Sequence, residues 1–289
     1  MFDLKQMDEY YHEKWAKVEA ALQEWLEPLK EKTVLYASIA YSLFSGGKRI
    51  RPLLMIAAYE TFSSSNDIEK VIIPACAIEL IHTYSLIHDD LPSIDNSDMR
   101  RNKPSNHKIY GDDIALLAGD ALLTHAFTLL SSASAKKYLN DNQIVSLIHC
   151  LAHHSGIDGM VEGQAFELMQ QDVKMDHLHY IDEHKTAALF SAALAMGAIA
   201  ANVSEAHIQH AKSIGRLFGH AFQIADDLAD YSNEKESVNI VNLLGKDQSI
   251  KLYHEYMDQA NEMLNKLQSD FPDPSLRSMI TLMQKKSFF

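Results

Sequence analysis

The chain has little of what breaks or staples a fold. Only 11 glycines and 7 prolines punctuate 289 residues, and apolar-polar alternation is scarce, which argues against the closely spaced strands and turns of a sandwich or barrel. The two cysteines, Cys76 and Cys150, lie in apolar helical patterns and give neither a disulfide framework nor a metal-ligand spacing. Positive charge is also short: 26 lysines and arginines against 39 acidic residues leave a net charge of −13, which disfavours a nucleic-acid partner. There is no internal repeat or low-complexity tract. The first residues, MFDLKQMDEYYHEKW, are amphipathic and charged with no apolar signal-peptide core, so a cytosolic location is expected. The longest apolar run, Ala187 to Val203, is alanine-rich and broken by Ser191. It reads as a buried central helix rather than a membrane span.

What the chain does have is helical periodicity. Apolar residues recur at i, i+3 and i+4 from Tyr36 through Ala58, Ile72 through Leu86 and Ala115 through Leu130, the stripe of packed amphipathic helices. An all-α bundle is expected, with residues 1–289 forming a single domain, since an all-helical chain can sustain one core at this length. Ser63 to Asn66, Lys136 to Asn142 and Phe271 to Pro274 read as loops.

Three polar segments stand out against that apolar background. In SLIHDDLPSIDNSDMRRNKPSNH, from Ser85 to His107, Asp89, Asp90, Asp95 and Asp98 crowd together beside Arg100 and Arg101. Such carboxylates call for a hard cation, and the arginines for an anion, a combination that suggests a magnesium-bridged diphosphate. Asp89 and Asp95 are too far around an unbroken helix to share a site. Pro92 resolves this, because it biases Leu91 out of the helical region, so the helix ends there and Asp95 can fold back. His82 lies two turns before Asp89 on nearly the same face; a core histidine is the plainer reading, but it points along the acidic face.

The second cluster, HAFQIADDLADYS from His220 to Ser232, reads as helix. Asp226 and Asp230 at i, i+4 share a face that Gln223 joins one turn earlier, and Asp227 stands beside them. The third segment is SGGKRIRP, Ser45 to Pro52. Gly46 and Gly47 allow a tight loop, Lys48, Arg49 and Arg51 arrive just before a helix, and Pro52 is expected to open it. Three cations at a helix N-terminus make an anion site.

In this order and spacing the three segments, with HKT at His184 to Thr186 and FQIADD at Phe222 to Asp227, resemble the trans-isoprenyl diphosphate synthase family, and among its branches the bacterial farnesyl diphosphate synthases. The resemblance spans about Ser42 to Tyr231. It implies one large helical bundle around a central acidic cavity, and a homodimer. It further implies three magnesium ions around an allylic diphosphate, with Asp89, Asp95 and Asp226 as principal ligands supported by Asp90, Asp227 and Asp230. By the same resemblance Arg100 and Lys185 contact the allylic diphosphate, while Lys48, Arg51, His82 and Arg101 receive isopentenyl diphosphate. The Lys185 carbonyl, Thr186 and Gln223 would face the allylic cation.

The residue types suit that chemistry. Carbon–oxygen ionisation asks for charge dispersal over metals and cations rather than for a nucleophile, and the released diphosphate can take the proton, so a general-base dyad is not needed. Within the family, the positions five and four before the first motif govern chain length. Here they are Tyr84 and Ser85, and the tyrosine resembles farnesyl synthases, implying (2E,6E)-farnesyl diphosphate from dimethylallyl and geranyl diphosphate. Some positions depart from the pattern. After Asp230 the usual glycine-lysine loop is replaced by YSNEKESVNIVNLLGKDQ, with Ile240 near the expected lysine and Lys235 or Lys246 as substitutes. Ser97, Asn102, Glu162 and Ala187 also differ. Geranyl or geranylgeranyl synthesis, a terpene cyclase and a non-catalytic subunit of a heteromeric synthase stay open as alternatives, the cyclase disfavoured by Lys48, Arg51 and His82.

Overall fold

The computed structural model describes residues 4–27, 33–63, 65–170, 174–229, 231 and 239–287. It is all-α, apart from one two-stranded hairpin, β1 (Met99–Arg100) and β2 (Lys103–Pro104), paired antiparallel. Helices α1 (Leu4–Leu26), α2 (Val34–Leu43), α3 (Ile50–Ser63) and α4 (Ile72–Asp89) precede the hairpin. After it come α5 (Asn106–Tyr110), α6 (Asp112–Leu130), the short α7 (Ala133–Lys136), α8 (Asp141–Ser155), α9 (Met160–Met169) and α10 (Met175–Ile181). A π-helical turn, Asp182–Ala187, leads into α11 (Ala188–Ala200), followed by α12 (Glu205–Ala229), α13 (Ile240–Leu244), α14 (Lys246–Asp270) and α15 (Ser275–Ser287).

The alanine-rich run is the central helix. Every residue of α11 is buried, and it packs against α3, α8 and α12. A helix apolar on all sides belongs inside a bundle, and its small side chains let its neighbours approach closely. Gly197 meets the backbone of α3 at Met55 and Tyr59, where even a Cβ would clash. The apolar stripe expected from Tyr36 to Ala58 is two helices, because Gly46 and Gly47 adopt φ of +104° and +137° and break it into α2 and α3. Helix α3 begins at Ile50 rather than at Pro52. Proline sits in its first turn, where its missing N–H costs no helical bond. The loop expected at Lys136 to Asn142 is shorter, since α7 reaches Lys136 and Asn140 caps α8 through a capping box with Gln143.

One stretch, Asp112–Lys136, is long and apolar enough by length and composition to cross a membrane. It opens on Asp112 and Asp113, packs along α4, and leaves Leu116 and Leu117 exposed on its outer face.

Candidate active site

The end of α4 builds the first wall of the site. The helix stops at Asp89, as Pro92 dictates, and the chain turns through Ile94 N–H to the Leu91 carbonyl at 2.9 Å and Asp95 N–H to the Asp89 carbonyl at 3.0 Å. Asp95 is thereby brought back to Asp89, as the proline predicted. Asn96, at φ +48°, completes the turn in the left-handed region that asparagine tolerates.

Asp89 is the strained member. Burial pushes its carboxyl up to about 6, Asp95 and Glu167 push the same way, and Lys185 and Arg100 oppose them. Its Oδ1 is buried with no hydrogen-bond partner, and the Lys185 ammonium stands 3.7 Å away, too far for a normal bond. Burial and two neighbouring carboxylates together outweigh Lys185 and Arg100 here, so this corner favours an added positive charge. Asp90 is placed differently. It is 2% exposed, and Arg100 holds it through Nε at 3.0 and 3.2 Å and Nη2 at 2.5 Å. Here Asp90 orients Arg100 instead of facing the cleft beside Asp89. Asp98 is exposed and paired with Lys108 at 2.7 Å.

The opposite wall is the π-helical turn and α12. Widening of the helix to π geometry recurs at functional sites, and here it carries Lys185 and Thr186 to the cleft. Helix α9 lies so close that a Cβ on Gly163 would fall 2.4 Å from the Lys185 nitrogen. Lys185 Nζ meets Glu167 at 2.5 Å. Thr186 Oγ1 donates to Gln223 Oε1 at 2.9 Å, and Gln223 Nε2 donates to Asp227 Oδ1 at 2.8 Å. Asp227 in turn accepts from the Ile240 N–H at 3.1 Å. Like Asp90, it is engaged by the protein: it caps α13 and fixes Gln223, leaving Asp226 as the second-cluster carboxylate that lines the cleft. Asp230 and Lys235 lie outside the described residues.

The cationic wall comes from the loop before α3. The Arg51 guanidinium lies 3.3 Å from His82 Nε2 and 4.6 Å from the Phe190 ring centroid, a cation–π arrangement. Burial lowers Arg51 to about 10, so it stays a cation at neutral pH. Burial first, and then Arg51 and Arg101, press His82 well below the usual imidazole range and keep it neutral. Lys48 is exposed at the cleft, and Arg101 donates to the Gly46 carbonyl. Arg49 does not join them. It is 2% exposed, bound to Glu19 at 2.5 Å and Glu79 at 2.7 Å, so the loop offers two cations to the cleft rather than three.

These walls enclose a cleft of about 1020 Å³, lined by Lys48, Arg51, His82, Asp89, Arg100, Arg101, Thr186, Gln223 and Asp226 among others. It adjoins a more apolar cavity of about 350 Å³ containing Tyr84, Ser85, His88, Ile94, Met160 and Ala165 and sharing Arg51, His82, Asp89 and Thr186. Three participants escaped sequence reasoning: Glu167, Asp182 and the Arg49–Glu79 pair. Glu167 is four residues after Gly163 on α9, a spacing with no meaning until the π turn is seen against it. Glu162, flagged as unusual, accepts from the Tyr180 hydroxyl at 3.3 Å.

In this all-helical bundle the cleft sets Asp89 and Asp226, near the ends of two helices, against the cations Lys48, Arg51, Arg100 and Arg101. The polyprenyl synthetase profile matches residues 32–249, and the chain belongs to that family, a family of transferases. It is 42% identical over 226 residues to the heterodimeric geranylgeranyl pyrophosphate synthase large subunit 1, chloroplastic, of Arabidopsis thaliana, a match covering 76% of this chain and 60% of that protein. The chain thus spans less than two thirds of that relative's length. To the farnesyl diphosphate synthase of Geobacillus stearothermophilus it is 38% identical over 245 residues, covering 84% of this chain and 81% of that one. The geranyltransferase of Helicobacter pylori, solved complexed with magnesium and isoprenyl diphosphate, superposes with a TM-score of 0.82 at 29% identity over 99% of each chain.

Proposed function

We propose that this chain, as one helical domain, condenses isopentenyl diphosphate with dimethylallyl and geranyl diphosphate to give (2E,6E)-farnesyl diphosphate. The observation that carries the reading is the pairing of two unlike anion sites in one cleft. Asp89 and Asp226 line one side, with the exposed Asp95 turned back beside Asp89 at its rim, while Lys48, Arg51, His82 and Arg101 offer donors and charge on the other.

The carboxylates fit magnesium. Asp89 presents a buried, unpartnered oxygen and a carboxyl already unfavourably crowded. Among the described residues no three acidic, histidine or cysteine side chains cluster tightly enough to cage an ion, so water and diphosphate oxygens would have to complete the shell of any magnesium held here. Three ions are proposed, with Asp230 as a further ligand and Asp90 and Asp227 supporting from behind by orienting Arg100 and Gln223. When bound, magnesium supplies the positive charge that draws off the leaving diphosphate.

Arg100 and Lys185 bind the allylic diphosphate and stabilise it as its carbon–oxygen bond breaks. The Lys185 carbonyl, the Thr186 hydroxyl and Gln223 place oxygen dipoles where the allylic carbon becomes cationic. The isopentenyl double bond then forms the new carbon–carbon bond, and the proton lost from the adjacent carbon passes to the departed diphosphate. The tail lies in the apolar cavity, where Tyr84 is 5% exposed and Ser85 neighbours it on α4.

The test is incubation with isopentenyl diphosphate, magnesium and either dimethylallyl or geranyl diphosphate, followed by product chromatography. A fifteen-carbon product is expected. A twenty-carbon product, the outcome favoured by the identity to geranylgeranyl synthases, would correct the length alone, and absence of condensation would overturn the reading.

A further inference from the structure

The loop that carries Lys48 and leads into α3, where Arg51 is the second residue, is held by a helix from elsewhere in the chain. Three α1 side chains at i, i+4 and i+8 form one stripe against it. The Tyr11 hydroxyl donates to the Lys48 carbonyl at 2.9 Å, the Trp15 indole N–H donates to the Gly47 carbonyl at 3.3 Å, and Glu19 accepts from Arg49 Nε at 2.5 Å. With Arg101 donating to the Gly46 carbonyl, three consecutive loop carbonyls are tied. Arg49 needs such restraint. It is a non-glycine residue at φ +50°, a conformation that persists only where the surroundings over-determine it. Its guanidinium is spread over Glu19, Glu79 and the Leu43 carbonyl.

Tyr11 is itself in the core, but these polar contacts are not all that docks α1. The helix buries Met7, Val18, Leu22 and Leu26, and Lys14 pairs with the fully buried Glu60 of α3 at 2.7 Å. The stripe of Tyr11, Trp15 and Glu19 is therefore available for a second task. Both aromatic side chains also border the large cleft.

We infer that α1 is part of the homoallylic site: Tyr11, Trp15 and Glu19 are positioning residues that fix the Gly46–Arg49 loop so that Lys48 is held beside Arg51 of α3 and the two present their charges together to isopentenyl diphosphate. This rests on the function proposed above. It places specificity for the second substrate partly in a helix that need not touch it. A loop left to relax would spread Lys48 over many arrangements relative to Arg51, which α3 holds in place, so binding rather than chemistry would suffer.

The experiment is steady-state kinetics of the full chain carrying Tyr11→Phe and Trp15→Phe together, which removes two donors and keeps an aromatic ring at each position, with Glu19→Gln as an independent variant. The KM for isopentenyl diphosphate is expected to rise about tenfold in the double variant, with kcat and the KM for geranyl diphosphate within about twofold of wild type. An unchanged KM for isopentenyl diphosphate, whatever the melting temperature does, would overturn the inference, and so would equal rises for both substrates. Should the wild type fail to condense the two substrates, it is the proposed function that falls. The inference is then judged by calorimetric titration of inorganic diphosphate without magnesium: binding about tenfold weaker in the double variant supports it, and equal binding overturns it.

Discussion

Asp89 concentrates the electrostatic problem of the site in one carboxyl. Burial and Asp95 raise it to about 6 against the pull of Lys185 and Arg100, and its Oδ1 has no hydrogen-bond partner, so a further cation would make the group easier to keep ionised. Asp89→Ala is expected to lower turnover by about a hundredfold or more, the size seen when a main stabiliser of developing charge is lost, while the purified variant melts no lower than wild type at pH 8. Steady-state assay at saturating magnesium and a thermal melt check both halves. Tyr84 offers a second test at this scale. It lines the 350 Å³ cavity, and Tyr84→Ala is expected to shift products from fifteen carbons toward twenty, read by chromatography, with turnover little altered. Where these side chains lie was legible in the sequence for some and not for others. Asp89, Asp226 and Arg51 declared themselves by charge in apolar surroundings. Arg49 and Arg51, two residues apart in one motif, could not be told apart, because what separates them is Glu19 and Glu79, each 30 residues from Arg49. The same holds for Asp90 and Asp227, whose partners Arg100 and Ile240 decide which way each carboxylate faces.

The elements differ in how openly they announce themselves. Pro92 marked the end of α4 and the return of Asp95, since proline acts through local sterics that any reader of the sequence can apply. The π turn from Asp182 to Ala187 carries no such mark; it exists because α9, α10 and α12 pack around it. Within that turn Asp182 is 6% exposed, and burial first, then Asp227 and Glu167, raise its carboxyl to about 8. A carboxyl with a folded value above its unfolded one, about 3.9, holds a proton in the native state that the unfolded chain has released, so stability falls as pH rises between the two values. Asp182→Asn removes that dependence. Its melting temperature is expected to exceed that of wild type by an increment that grows from pH 5 to pH 8 and then levels. An increment independent of pH would mean that Asp182 is ionised throughout. His220, bound to Glu183 at 2.8 Å and stacked on Tyr256, braces the same turn from α12 and α14.

At the scale of the molecule, helical periodicity and scarce turn residues were enough to expect an all-α bundle, and the alanine-rich run was legible as its central helix because a segment apolar on every side has nowhere else to go. The outer face of α6 was not legible in that way. Its composition is that of a buried helix, yet Leu116 and Leu117 are 46% and 52% exposed, with Ile109 of the neighbouring α5 at 50%. The homodimer expected by resemblance would cover such a face. Light scattering is expected to give twice the chain mass of 32.6 kDa, and Leu117→Glu to shift the protein toward that single-chain mass; a monomeric wild type would reject the proposed interface.

The central claim is that one cleft holds two anions by different means, the allylic diphosphate through carboxylate-bound magnesium and isopentenyl diphosphate through Lys48, Arg51, His82 and Arg101. Calorimetric binding of each substrate alone, with magnesium and again with a chelator, tests it most directly. Geranyl diphosphate binding is expected to weaken by about a hundredfold or more on chelation, and isopentenyl diphosphate binding to change by less than about threefold. Equal metal dependence for the two substrates, or none for either, would contradict the account.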